Sequence, residues 1–265
     1  MSSTTSAIAL DVAPIPRLLW AETRAKLLAR LRAPAFSVLS IVLPTMFFAL
    51  FFGIFSNQKG APVRELASYF LAAYATYGVA NVMIFNFGIG IANERGQKQD
   101  VLQRATPLPP AVAAGAQVIF SLVFALVALA VLFLYAFVVG GVRLGADSWI
   151  WLTVRLLLGS FPMMGLGMAI GYSTSANAAP AVTNLIYLPM SFISGIFIPI
   201  NQLPDAIQAV GKVLPLYHYS QLPLEIVGQN TENVETAILW LIGWTVVLFA
   251  VGLRFYRTDE SSKFS

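Results

Sequence analysis

The sequence predicts an all-α integral membrane protein. It has six transmembrane helices, an N-terminal amphipathic interface helix, and short re-entrant helices between the fifth and sixth spans. Three observations carry that prediction. Of 265 residues, 58% are hydrophobic and only 11% charged, against roughly 25% charged in a soluble domain. So few charges cannot coat a globule, so lipid must solvate most of the chain. Apolar runs recur, each near the roughly 20 residues that a crossing helix needs. The basic residues gather in alternate connections between those runs.

In chain order, residues 1–15 are rich in Ser, Thr and Ala and contain no Lys or Arg. They lack the charged start and apolar centre of a cleavable leader. They are expected to form a disordered tail, with the first span serving as an uncleaved signal. Residues 16–33 read as a helix. Trp20, Leu27 and Leu31 fall on one face, with Leu28 beside them, and Glu22, Lys26 and Arg30 form an i,i+4 ladder opposite. Such a basic helix before a span lies in the membrane interface, its long cations reaching the headgroups. Its plainer reading is a juxtamembrane charge cluster. Pro34 ends it.

The spans are expected at 35–56, 66–92, 111–140, 149–173, 179–198 and 236–254, within one transmembrane domain over 16–256 and a tail over 257–265. Pro44 and Pro162 should kink the first and fourth spans. Gly167 and Gly171 in the fourth form a small-xxx-small face for close helix packing. The connection 199–235 is long yet partly apolar. Ala206, Ile207, Val210, Val213 and Leu214 recur at helical spacing opposite Asp205, Gln208 and Lys212. One or two short helices dipping into the outer leaflet satisfy that pattern, since protein cover makes non-spanning backbone tolerable at that depth.

Orientation follows from charge. With the N-terminus inside, the inner segments carry Arg17, Arg24, Lys26, Arg30, Arg32, Arg95, Lys98, Arg104, Arg254, Arg257 and Lys263. The outer segments carry Lys59, Arg64, Arg143 and Lys212. Eleven against four is a positive-inside bias, which predicts a plasma membrane protein with both termini cytoplasmic. The net charge of +4 thus reports topology, and no nucleic-acid partner is expected. Without cysteine and with one histidine, neither a thiolate metal site nor a multi-histidine site can form.

The most polar interior stretch is Asn93 to Pro110, between the second and third spans. Glu94, Arg95, Lys98, Asp100 and Arg104 surround an apolar pair, Val101 and Leu102, and Thr106 precedes Pro107 and Leu108. These charges must lie outside hydrocarbon, where a soluble partner can reach them. A charged rim around an apolar centre suits docking into a groove. The bland alternative is a solvated loop whose charges only fix topology.

Asn93-Glu94-Arg95-Gly96, Val101-Leu102 and Ala105-Thr106-Pro107-Leu108 resemble the cytoplasmic loop of type-2 ABC exporter permeases, the group that includes the daunorubicin-resistance and nodulation-factor export permeases. Phe192-Ile193-Ser194-Gly195-Ile196-Phe197-Ile198-Pro199, Gln202-Leu203-Pro204 and Leu214-Pro215-Leu216-Tyr217 are similar to that family's fifth span and external re-entrant helices. The resemblance covers residues 16–256. Where many members have more Glu, this chain has Gly96-Gln97-Lys98-Gln99. The resemblance implies a permease that works as a dimer, a homodimer or a pair of paralogues. Each copy binds a separate ABC ATPase, which holds ATP and Mg. The substrate then passes between the permeases, outward from the cytoplasm or inner leaflet. It also implies that Glu94, Arg95, Lys98, Asp100, Val101, Leu102, Arg104 and Thr106 couple to the ATPase. The helix carrying Trp20, Glu22, Lys26, Leu27 and Arg30 then touches the same partner.

The chain has no G-x-x-x-x-G-K-[ST] phosphate loop, so it is expected to be no enzyme, with ATP hydrolysed elsewhere. No catalytic constellation stands out. Intramembrane polar groups point to pathways: Asn81 and Asn86, with Phe85, in the second span, and Asn184, Tyr187 and Phe192 in the fifth. Interhelical hydrogen bonding for the Asn residues and packing for the aromatics are the commoner explanations. Arg155 either snorkels outward or pairs with a residue such as Glu225. His218, between Tyr217 and Tyr219, suits an interface anchor. The expected function is export of an amphipathic substrate, drug-like, lipid or lipid-linked. A polysaccharide or glycolipid permease of the same architecture is the nearest alternative. A membrane scaffold or channel without an ATPase, and a lipid-modifying enzyme, are the others.

Overall fold

The computed structural model describes residues 14–32, 34–57, 62–98 and 108–262. They are helical throughout, with no strand among them. The helices are α1 (Ile15–Leu31), α2 (Pro34–Ser56), α3 (Val63–Gly96), α4 (Pro110–Val138), α5 (Ala146–Gly159), α6 (Phe161–Ser173), α7 (Ala179–Ile193), α8 (Asp205–Gly211), α9 (Pro215–Ile226) and α10 (Val234–Ser262). A short 3-10 turn at Ile200–Gln202 precedes α8.

By length and composition, α3, α4, the α5–α6 pair and α10 can each cross a membrane. The other apolar helices, Ser40–Ser56 within α2 and Ala179–Ile193, are shorter. Length alone therefore supports four of the six expected crossings. The expected fifth span, 179–198, is cut short because the chain turns at Gly195. There φ is +82°, a region that glycine enters freely. Phe192 and Phe197 then stack across the turn at 4.4 Å. The fourth span breaks at Ser160, just before Pro162, into two helices. Proline is well placed there, in the first turn of α6.

The bundle is built around α3. At 34 residues it is roughly 50 Å long, well beyond the roughly 30 Å hydrocarbon layer. It is buried along nearly its whole course and packs against α2, α4, α6, α7 and α9. Small residues permit this. A Cβ at Gly78 would sit 2.9 Å from the Pro44 ring. The Gly167 and Gly171 face of α6 lies directly on α3. Added Cβ atoms there would meet the Ile84 and Phe87 carbonyl oxygens, each at 2.8 Å. At the Val63 end, Phe47, Phe51, Phe70, Tyr74, Tyr77 and Phe197 interlock.

Two short helices, α8 and α9, lie between α7 and α10, and they differ in burial. Ile207, Val210 and Val213 around α8 are exposed, whereas α9 is buried from Pro215 to Leu224. Tyr219 of α9 fits the notch at Gly159 and donates to the Leu156 carbonyl. The interface anchor expected at His218 is not found. It is 1% exposed, bonded to Glu232 at 2.8 Å and stacked on Trp240. Burial within α9 explains the difference.

Gly171→Leu should lower the melting temperature of the detergent-purified protein sharply, because its side chain meets backbone that cannot yield. Overpacking of this kind costs about 1–3 kcal/mol. Gly243→Ala, with nothing within 4 Å, should melt like the parent. Equal melting of the two variants would refute the proposed α3–α6 contact.

Candidate functional site

The charged residues singled out at the end of α3 converge on one place. α3 stops after Gly96, and Lys98 adopts a left-handed conformation with φ 55°. Gly96 closes on Ala176 in the turn between α6 and α7, leaving 3.0 Å for an added Cβ. Glu94 and Arg95 project from this last turn toward other helices, and both are tied within the protein.

Arg95 holds three helices together. One terminal nitrogen donates to the Gly171 and Thr174 carbonyls at 2.8 and 3.0 Å. These are carbonyls that the end of α6 leaves without helical partners, at the negative pole of its dipole. The other nitrogen pairs with Asp259 of α10. The guanidinium also lies 5.8 Å from the Tyr172 ring centre, and that ring packs edge-on against Tyr256. The Arg95 and Asp259 side chains are 22% and 12% exposed, so their charges are substantially withdrawn from water.

α1 joins the same end of the bundle, mainly along α4. Lys26 forms an ion pair with Glu94 at 2.5 Å. One turn further, Arg30 donates to the Asn86 side chain at 2.7 Å. Asn86 is buried. Its amide donates to Ser121 at 3.4 Å, and its backbone carbonyl accepts from Gln117 at 3.0 Å. The Arg30 guanidinium lies 5.7 Å from the Phe124 ring centre. Burial lowers its pKa to about 10, so it stays charged at neutral pH. Gln117, Ser121 and Phe124 share one face of α4.

This arrangement corrects the expected orientation of α1. The ladder face carrying Lys26 and Arg30 meets the protein, while Trp20 is 67% exposed and Leu28 points outward. The charges turn inward because Glu94 and Asn86 await them there. Leu27 packs on the core, and Glu22 is half-buried on the Lys26 side. Asp100, Val101, Leu102, Arg104 and Thr106 lie outside the described residues.

The other residues expected along a pathway do not gather. Asn81 is buried in α3, and Phe85 is partly buried there. Tyr187 is enclosed, stacked on Tyr77 and donating to the Tyr77 carbonyl at 2.5 Å. Asn184 is exposed, its amide returned to the Pro180 carbonyl of its own helix. Phe192, 50% exposed, lies two turns along the same face. At the opposite end of the bundle Arg155 does pair with Glu225, and donates to the Leu222 carbonyl at 3.1 Å. Sequence reading missed Asp259, taken as part of a tail. It also missed Gln117 and Ser121, whose i,i+4 spacing in an otherwise apolar run was the available signal.

Residues 17–226 match the family model described as "ABC-2 type transporter". The chain belongs to that family. It is also 26% identical over 231 residues, 87% of this chain and 94% of the other, to the Bacillus subtilis (strain 168) protein named "Putative transport permease YvfS". Family membership and the long apolar helices make the chain a multi-pass membrane transport permease, a component that is not itself a catalyst.

A double-mutant cycle tests whether the α3–α10 connection is energetic. Arg95→Ala and Asp259→Ala should each destabilise the purified protein, with a coupling of about 1.5–3 kcal/mol for a charged, partly buried hydrogen bond. Strict additivity of their unfolding free energies would leave Arg95 held by the α6 carbonyls alone.

Proposed function

We propose that this permease is half of an ATP-driven exporter. Two copies assemble with two separate ABC ATPase subunits, which bind ATP and Mg and hydrolyse it. α2, α3, α4, α5–α6, α7 and α10 make six crossings, with α8 and α9 at the outer face. Both termini and residues 97–109 then face the cytoplasm of the plasma membrane, in keeping with the positive-inside distribution of charge.

The observation that carries this reading is the tied end of α3. α3, α6, α10 and α1 are linked there through Arg95 and Glu94, immediately before the stretch that resembles an ATPase-docking loop. A push delivered at that stretch has a rigid path into the most deeply buried helix. Glu94 and Arg95 act in this scheme as positioning residues behind the docking surface. Lys98, Asp100, Val101, Leu102, Arg104 and Thr106 contact the ATPase. The substrate is amphipathic, drug-like, lipid or lipid-linked, and moves outward between the two permeases. The exposed face of α7 at Asn184 and Phe192 borders that passage. Spans this oily, with few unpaired charges at depth, favour a cargo of low net charge.

Leu102→Asp should abolish substrate-stimulated ATP hydrolysis by the assembled complex while membrane insertion and Tm stay as in the parent. Full stimulation in that variant would remove the loop from the mechanism. Cysteines placed at Gln99 and Gln229 should react with impermeant reagents from opposite sides of the membrane. Labelling from one side would overturn the six-crossing topology. Gentle extraction of the tagged chain should bring down a soluble subunit carrying a Walker phosphate loop in stoichiometric amount.

A further inference from the structure

The end of the bundle remote from Arg95 contains a cavity of about 270 Å³ between the start of α3, the turn after α7 and helix α9. Its lining includes exposed polar side chains that make no hydrogen bond within the protein. Among the described residues, the Glu65 carboxylate and the Asn201, Gln202 and Gln229 amides have no hydrogen bond to the protein. The Ser194 hydroxyl also lines it, buried and without a partner. Buried polar groups are normally satisfied, so a hydroxyl in this state beside a cavity lacks the partner that a water or a ligand atom could supply.

The rest of the wall is fixed. Tyr69 donates to the Gly195 carbonyl at 2.8 Å, holding the turn that carries Ser194. Gln221, buried, accepts from the Thr231 backbone at 2.8 Å and from its hydroxyl at 3.2 Å. Leu66 and Leu224 supply apolar surface. These contacts hold the Gly195 turn and the Gln221–Thr231 side of the cavity in place.

The chemistry of the lining selects its occupant. Each amide offers donors and an acceptor side by side, which suits neighbouring hydroxyl groups that do the same. The carboxylate accepts two further hydrogen bonds, strengthened by its charge. Among the described residues no Lys or Arg lines the cavity, so a phosphate or carboxylate there would meet the charge of Glu65 and no described cation. At roughly 30 Å³ per water the space equals about nine waters, room for one ring-sized polyol. We propose that this cavity binds a single glycosyl-sized polyhydroxylated group that carries no negative charge. That group comes either from a free sugar or from the head of a glycolipid. The inference goes beyond export, because binding is read on the permease without a partner.

The test uses the full chain, extracted without glycosidic detergent and placed in phosphatidylcholine nanodiscs. Saturation-transfer NMR with methyl glucoside and with glucosamine should show binding to the permease discs and none to empty discs. Glucose 6-phosphate should bind at least tenfold more weakly. The double variant Asn201→Ala/Gln202→Ala, at exposed positions, should weaken binding about tenfold or more by removing two hydrogen bonds. Lys212→Ala, outside the cavity, should bind as the parent does. Displacement of methyl glucoside by monoglucosyl diacylglycerol in the disc would assign the site to a lipid head, and displacement only by free sugar would assign it to a solute. No binding of any neutral sugar overturns the proposal. Binding unaffected by the double variant, or glucose 6-phosphate binding as tightly as methyl glucoside, does so equally.

Discussion

Lipid offers helices no hydrophobic reward for meeting, so a bundle in a membrane depends on how closely backbones can approach. In this protein that constraint is met where α6 lies on α3. Gly167 and Gly171 leave no space for a Cβ against Ile84, Phe87 and Gly88. Their contact fixes the depth of α6 relative to α3. That depth in turn brings the Gly171 and Thr174 carbonyls within reach of Arg95. A shift of α6 by one helical turn, about 5.4 Å, would separate them. The polar node is thus a consequence of the apolar contact, and each makes sliding of the other costly.

The two ends of the bundle solve different problems. At the Gly96 end, three cations close to α3 find partners within the protein: Lys26 with Glu94, Arg95 with Asp259, and Arg30 with Asn86. Removing one partner of such a buried pair costs more than the pair itself contributes. The contacts therefore specify geometry more than they add stability. At the Val63 end the aromatic cluster closes the core, and polar side chains beside it face a cavity instead of each other. One end holds position and the other leaves binding capacity unspent.

Much of this was legible in the chain. The apolar runs placed most helices within a few residues, because spanning length and hydropathy are set by the bilayer itself. The small-residue face of α6 could be read, since only close packing rewards two glycines four apart. What could not be read was which way a polar face would turn. The ladder of Glu22, Lys26 and Arg30 has the same period whether it meets headgroups or protein. Only the third dimension puts Glu94 and Asn86 beside it. Asp259 was invisible for a similar reason: a lone acid 164 residues from Arg95 carries no local signal. The premature end of α7 was masked because Ile196, Phe197 and Ile198 prolong the apolar run past the turn at Gly195.

The inward turn of α1 has a mechanical corollary. A helix lying at the interface with its charges in headgroups can rock freely relative to the bundle. Here α1 is anchored at two levels of α3, Glu94 near its end and Asn86 two turns deeper. Two anchors roughly 12 Å apart along one axis resist tilting as a single one does not. The deeper anchor continues through Ser121 and Gln117 into α4. Force applied to α1 therefore reaches α3 and α4 as a displacement rather than being lost in rotation.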